Sequence, residues 1–292
     1  MNSKVKGIGA TLLSAIYFGF VPLLMKTVYA GGGNSFTAAF LRFAFSIPVL
    51  FVVLKIKGVD LRITREELKH FFIITAFGYA GTTLLVFTAY NYIPTGMTTT
   101  IHFLYPTFTV AGLMIFYREK IKASKIFCVI LCLIGIIMFY NGGEGHASLI
   151  GILLALCSSM TYAFYTIFLG KSEVLRDIEP MKRLFYMHII GAMIMLAIGL
   201  ISGNLNFHMT PLSWGVMALP ANLTAFVGAL LYQIGVKYIG AESTAMLSTF
   251  EPITSVIVGI LVYGEPMTLR IFIGCAAIIA STLIIARTES KE

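Results

Sequence analysis

"YIGAESTAMLSTFEPITSVIVGILVYGEP", residues 238–266, decides the fold, because the chain carries the same stretch twice. A shift of 146 residues lays it without a gap on "YIPTGMTTTIHFLYPTFTVAGLMIFYREK", residues 92–120. Tyr92 meets Tyr238, Ile93 meets Ile239, Pro106 meets Pro252, Tyr117 meets Tyr263 and Glu119 meets Glu265. A shift of 144 lays "GIGATLLSAIYFGF" (7–20) on "GILLALCSSMTYAF" (151–164), with Gly7 on Gly151 and Ser14 on Ser158. The chain therefore reads as one unit written twice, residues 1–146 and residues 147–292.

The solvent of both units is lipid. Of 292 residues, 58% are hydrophobic and 12% charged, too little charge to cover a soluble protein of this length. Runs of about 20 apolar residues cross a hydrocarbon core roughly 30 Å thick. Ten such runs follow one another, at 7–30, 35–54, 70–90, 95–116, 123–140, 149–169, 183–202, 212–236, 241–263 and 268–287. The short connections leave no room for a soluble catalytic or nucleic-acid-binding domain. Walking the loops alternately puts 18 of the 21 lysines and arginines on one side and only Arg270 on the other, the signature of cytoplasmic loops. Basic charge shared among short loops serves topology, so the net charge of +8 implies no nucleic-acid partner. Lys4 and Lys6 ahead of an apolar stretch ending in "VYA" (28–30) mimic a signal peptide. That stretch is too long for a signal core, and removing it would leave nine spans and break the repeat. Five spans per unit is an odd number, so the second copy enters the membrane upside down. The expected fold is an all-α integral membrane protein of ten transmembrane helices, built as two inverted five-helix repeats around a central cavity. It is expected in the plasma membrane, with both termini cytoplasmic.

Inverted repeats that meet near the bilayer midplane are a transporter architecture. On spans four and nine the aligned polar pairs are Thr98/Thr244, His102/Ser248, Tyr105/Glu251 and Thr109/Ser255. Their spacing of i, i+4, i+7, i+11 draws one stripe along a helix. A stripe of this kind cannot face lipid and must meet protein or water. Pro106 and Pro252 free the carbonyls of His102 and Ser248 beside that stripe. An acid at a bilayer centre costs about 3 kcal/mol, which makes Glu251 the first functional candidate. It could bind a cationic group, exchange a coupling proton, or pair with Lys26 or Arg42, the basic residues inside spans; both sit toward the outer face, so neither is the favoured partner.

Other spans echo the pattern. Tyr79, Thr83, Val86 and Tyr90 share a face of span three; Asn222, Phe226, Ala229 and Gln233 share a face of span eight, where Pro220 offers a kink. Ser14 and Tyr17 come from span one, and Ser158, Tyr162 and Tyr165 from span six. The candidate substrate-binding set is Tyr17, Tyr79, Thr83, Tyr90, His102, Tyr105, Tyr162, Asn222, Gln233, Ser248 and Glu251, with Pro106, Pro220 and Pro252 as hinges. Packing or interfacial anchoring is the plainer reading of a lone aromatic, and amides also serve as interhelical glue. Small residues at Ala221, Ala225 and Ala229 and at Ala155, Ser159 and Ala163 mark close helix approach. His188, placed near the cytoplasmic end of span seven, stays outside the candidate set. Cys128, Cys132, Cys157 and Cys275 lack the spacing and water access of a metal site. No catalytic motif, metal site or cofactor is expected, and no nucleotide-binding GxxxxGK[ST] segment is present.

The ends of the two repeats, "FLYPTFTVAGLMIFYREKIKASKIFCVILCLIGIIMF" and "FEPITSVIVGILVYGEPMTLRIFIGCAAIIASTLII", resemble the drug/metabolite transporter superfamily, in its EamA-type branch. The shared frame is a proline, an apolar stretch, a glutamate just past the helix end (Glu119, Glu265) and a glycine-containing span. The first copy has Arg118 where the second has Gly264. The resemblance implies that spans 1, 3, 4, 6, 8 and 9 surround the cavity while 2, 5, 7 and 10 stand outside. It implies alternating access and small-metabolite transport, often amino-acid export, with membrane lipids, a small solute and a coupling proton as candidate partners and no obligate protein partner. A midplane acid among tyrosines suits an amine-bearing solute. The expectation is thus a secondary carrier exporting amino acids or amines. The competing readings are an uptake carrier for a quaternary amine such as choline, a passive channel and a membrane enzyme.

Overall fold

The computed structural model describes residues 3–93, 95–139, 148–263 and 268–291, and among these every regular element is helical. In chain order the long segments are α1 (Ser3–Ala30), α2 (Ser35–Ile56), α3 (Arg65–Ala89), α4 (residues 95–117), α5 (Ala123–Phe139), α6 (Leu149–Lys171), α7 (Pro180–Ile201), α8 (residues 211–239), α9 (residues 241–263) and α10 (Leu269–Lys291). Among the described residues, seven stretches are long and apolar enough to cross a membrane. The expectation was ten; α8 runs into α9 as one 48-residue stretch, and the apolar helices within α5 and α10 are shorter, Ala123–Gly135 and Phe272–Ile284. Gly240 (φ 78°, ψ 170°) turns the chain between α8 and α9, in a backbone region open essentially to glycine alone.

Several helices begin earlier than their apolar runs, because capping sets where a helix starts and hydropathy only where it enters lipid. Thr64 accepts from Glu67 N while the Glu67 carboxylate accepts from Thr64 N, a capping box that starts α3 at Arg65. The Glu179 side chain accepts from Lys182 N with Pro180 in the first turn, so α7 starts there. Thr210 caps α8 ahead of Pro211 in the same way.

Breaks within helices recur at repeat-related places. α4 is interrupted between His102 and Tyr105, and α9 passes through a 3₁₀ turn at Ser248–Phe250 before Glu251. Pro106 and Pro252 follow those breaks, as a missing N–H and a crowded ring require. α8 widens into π turns at Met217–Ala221, around Pro220, and at Thr224–Gly228. α3 widens at Ile74–Tyr79 with no proline. α1 is interrupted at Phe20, ahead of Pro22.

The helices pair as the repeat demands. α1 packs on α8 and α6 on α3; α1 meets α9 and α6 meets α4; α2 packs on α7 and α5 on α10. Exchanging the halves turns each of the first four pairings into another of them, and α2–α7 and α5–α10 into themselves. A methyl group at Gly7 would fall 2.8 Å from Tyr238 Cβ, and one at Gly151 would fall 2.8 Å from Tyr92 Cβ. Equivalent glycines thus admit equivalent tyrosines. Tyr79 donates to the carbonyl of Ala225, its own repeat partner, at 3.4 Å. The small-residue stripes are buried where helices meet: Ala221, Ala225, Ala229, Ala155, Ser159 and Ala163 are all at most 3% exposed.

Buried hydroxyls return to their own helices. Thr11, Thr83, Thr109, Thr166 and Ser248 each donate to the carbonyl four residues back, the cheapest way to bury such a group. Outside, bulky apolar residues such as Phe116 (80% exposed) and Ile201 (88%) stand bare. Apolar surface on that scale requires lipid, so the chain is a multi-pass membrane protein.

Candidate functional site

The cavity lies where α1 and α3 diverge. It is a narrow space of about 80 Å³, partly open to the exterior. Its walls come from α1 (Phe18, Val21, Pro22), α2 (Arg42), α3 (Tyr79, Thr82, Thr83, Val86, Phe87, Tyr90), α4 (Thr99, His102), α6 (Tyr162) and α9 (Glu251). The broken segments supply much of this lining. Pro22 follows the interruption in α1, Tyr79 ends the wide turn of α3, His102 ends the first half of α4, and Glu251 opens the second half of α9. A carboxylate in the first turn of a helix faces the positive end of its dipole, which offsets part of the cost of burying it. Ser255 donates to the Gly19 carbonyl at 2.8 Å, and a methyl on Gly19 would come within 2.5 Å of Thr254 Cβ. Glycine there lets α1 sit directly against the Glu251 turn.

His102 is held by Ser158. The Ser158 hydroxyl donates to Ala155 O at 2.6 Å and so accepts from His102 Nδ1 at 3.0 Å. A neutral ring with its proton on Nδ1 keeps Nε2 as an acceptor. Below the cavity the aromatic rings close ranks: Tyr105 meets Tyr162 edge-on at 4.7 Å, Tyr162 packs on Tyr165 and Tyr232, and Tyr165 stacks on Tyr79. Thr166 gives its proton to Tyr162 O and so accepts from the Tyr232 hydroxyl at 2.6 Å. Past that bond α6 and α8 close up, and a methyl on Gly170 would lie 3.5 Å from Val236 Cγ1.

Tyr79, Thr83, Tyr90, His102, Tyr162 and Glu251 of the candidate set are brought together on the lining, and Val86 completes the α3 face. Five candidates are elsewhere. Tyr105 is buried behind Tyr162. Ser248 is buried and spent on Thr244 O. Tyr17 packs against Gly228 of α8. Asn222 donates to Phe45 O of α2 at 3.3 Å, and Gln233 is fully buried with its amide toward Met187 Sδ. Both amides of α8 are turned to α2 and α7, so its polar face becomes interhelical glue. The stripe on α4 and α9 divides in the same way: His102 and Glu251 face the cavity, while Thr109 and Ser255 bond to neighbouring backbone.

Arg42 is the correction. Its depth and the outer place of α2 argued against a role beside Glu251, yet it lines the same cavity. The α2 backbone is outside, but the guanidinium reaches into the gap between α1 and α3, 5.8 Å from the Phe18 ring centre and 5.9 Å from that of Phe87. The signal was in the sequence, as a basic residue deep in an apolar run. Lys26, the other such residue, is exposed. His188 is fully buried: it stacks on Tyr79 and bonds to Ser46. Of the two loop acids, Glu119 pairs with Lys171, tying the end of α4 to the end of α6; Glu265 lies outside the described residues.

The EamA-like transporter family model matches the chain twice, over residues 5–141 and 149–287. The chain belongs to the EamA-like transporter family. An uncharacterized transporter of Archaeoglobus fulgidus is 26% identical over 95% of both chains. The uncharacterized transporter sll1319 of Synechocystis is 23% identical over 97% of this chain and 94% of its own, and YvbV of Bacillus subtilis, another uncharacterized transporter, is 26% identical over 69% and 66%. A solved crystal structure shares the fold, with a TM-score of 0.81 over 97% of each chain at 16% identity. This EamA-like chain is therefore a membrane transporter whose two family units each span about half its length.

Proposed function

We propose that this EamA-like protein is a secondary-active carrier that exports small amino-containing metabolites, amino acids or amines, by alternating access. In this reading the chain crosses the plasma membrane ten times as two inverted five-helix repeats, residues 1–146 and 147–292, with both termini cytoplasmic. The observation that carries it is an asymmetry between repeat-related pairs. α6 packs on α8, whereas their counterparts α1 and α3 stand apart across the cavity, bridged near one end by the Tyr29 hydroxyl donating to Phe87 O at 2.9 Å. A symmetric molecule with one gap open and the matching gap closed has a second state of equal architecture, in which the two are exchanged. With the termini inside, the open gap faces outward.

Glu251 provides the attraction for an ammonium group, and the surrounding tyrosines add cation–π contact. The tyrosine layer and the α6–α8 contact block a continuous path, which favours a carrier over a passive channel. Uptake of a quaternary amine such as choline is the second reading, supported by the aromatic walls and opposed by the cationic Arg42 beside them.

Counterflow in proteoliposomes tests the proposal. Saturable exchange that is faster with substrate on both sides is the expected result; flux that rises linearly with concentration would identify a pore. Glu251→Gln is expected to lower exchange at least tenfold, or to remove its pH dependence, while the protein keeps its melting temperature within a few degrees. Unchanged exchange and pH response would remove Glu251 from the mechanism.

A further inference from the structure

The cavity contains a base and an acid that do not neutralise each other directly. Arg42 is 6% exposed and its Nε has no hydrogen-bond partner. Among the described residues no ion pair within 4.0 Å joins it to Glu251, although both line the cavity. A buried base and a buried acid kept apart in this way are costly, and one small solute carrying both signs relieves the cost at both ends. The rings of Phe18 and Phe87 hold the guanidinium from α1 and from α3 with the Tyr79 hydroxyl beside it, and its unpartnered Nε is a donor for a carboxylate.

We propose that Arg42 is the specificity-determining residue of the cavity: with Glu251 it selects solutes that carry a carboxylate and an ammonium group on one small skeleton, and rejects solutes that carry either group alone. The inference rests on the carrier reading above. The carboxylate meets Arg42, and the ammonium meets Glu251 with the acceptor side of His102. Phe18, Val21 and Phe87 receive the rest of the solute.

The test begins with thermal-shift titration of detergent-solubilised protein against the proteinogenic L-amino acids. The tightest ligand is then compared with its carboxamide, its decarboxylated amine and its deaminated acid, each a change at one end. Each of the three is expected to bind at least about tenfold more weakly, the loss typical of one charge-assisted contact. Arg42→Gln is expected to reduce amino-acid affinity to the level of the carboxamide and to leave the carboxamide unaffected. Glu251→Gln is expected to spare the deaminated acid. Should Arg42→Gln fail to fold, Arg42→Lys serves, keeping the charge and losing the fork, and the ligand comparison on the unaltered protein needs no variant. Equal loss of amino acid and carboxamide in the Arg42 variants would make Arg42 a packing residue and overturn the inference. Bare amines or anions that bind as well as amino acids would overturn it and leave the carrier standing. A protein that neither binds nor exchanges any of these solutes would sink both readings.

Discussion

Single residues in this molecule are explained by what backs them. Glu251 is tolerated because a helix starts at it and a cavity lies before it. Arg42 is tolerated because two rings flank it. Arg118 has no such support for its backbone: it ends α4 at φ 54°, ψ 31°, in the left-handed region where side chains cost about 1 kcal/mol or more. Its repeat counterpart is Gly264, the residue such a cap prefers. Arg118→Gly is therefore expected to raise stability by about 1 kcal/mol, read as a higher melting temperature in detergent, with transport unaltered. A lower melting temperature would mean that the arginine side chain contributes more than its backbone costs.

At the scale of elements, the breaks matter more than the helices. Four of the six interruptions in the lining helices and α8 come with a proline that the sequence displays, at Pro22, Pro106, Pro220 and Pro252. The wide turn at Ile74–Tyr79 has no such marker; it arises where α3 yields to α6, with a methyl on Gly78 only 2.9 Å from Tyr165 Cβ. Contacts of this kind belong to packing and leave no local trace. Gly240 offers a clean test of one break. Nothing lies within 4 Å of a methyl placed there, so Gly240→Ala isolates the backbone cost of φ 78°, ψ 170°. A loss of about 1–3 kcal/mol is expected, while Gly9→Ala, also without neighbours but helical, is expected to be neutral or slightly stabilising. Equal melting temperatures for the two variants would show that the α8–α9 corner is not set by this glycine. Gly19→Val is expected to lower both stability and transport, because its side chain would force α1 away from Thr254 and Glu251; normal transport would mean the α1–α9 contact is dispensable.

Over the whole molecule, the repeat was legible at a glance, and the partition of its helices between wall and cavity was only half so. Pairings that follow from symmetry, α1 with α8 and α6 with α3, could be anticipated from two copies inserted in opposite senses. The side of the molecule that stands open could not, because both halves carry similar patterns. Hence Tyr79, Thr83, Val86 and Tyr90 on α3 line the cavity, while Asn222 and Gln233 on α8 are spent on neighbouring helices. Arg42 escaped for a related reason, since its long side chain crosses from an outer helix into a gap that only the assembled structure contains. The central claim is that the two gaps exchange. Double electron–electron resonance on a variant lacking Cys128, Cys132, Cys157 and Cys275 tests it most directly, with spin-label pairs at Ala30 and Thr88 across the α1–α3 gap and at Glu173 and Lys237 across the α6–α8 contact. When the transported solute is added, the account predicts a population in which the second distance lengthens while the first, beside the Tyr29–Phe87 bond, does not; two distances that stay fixed, or that grow together, would contradict it.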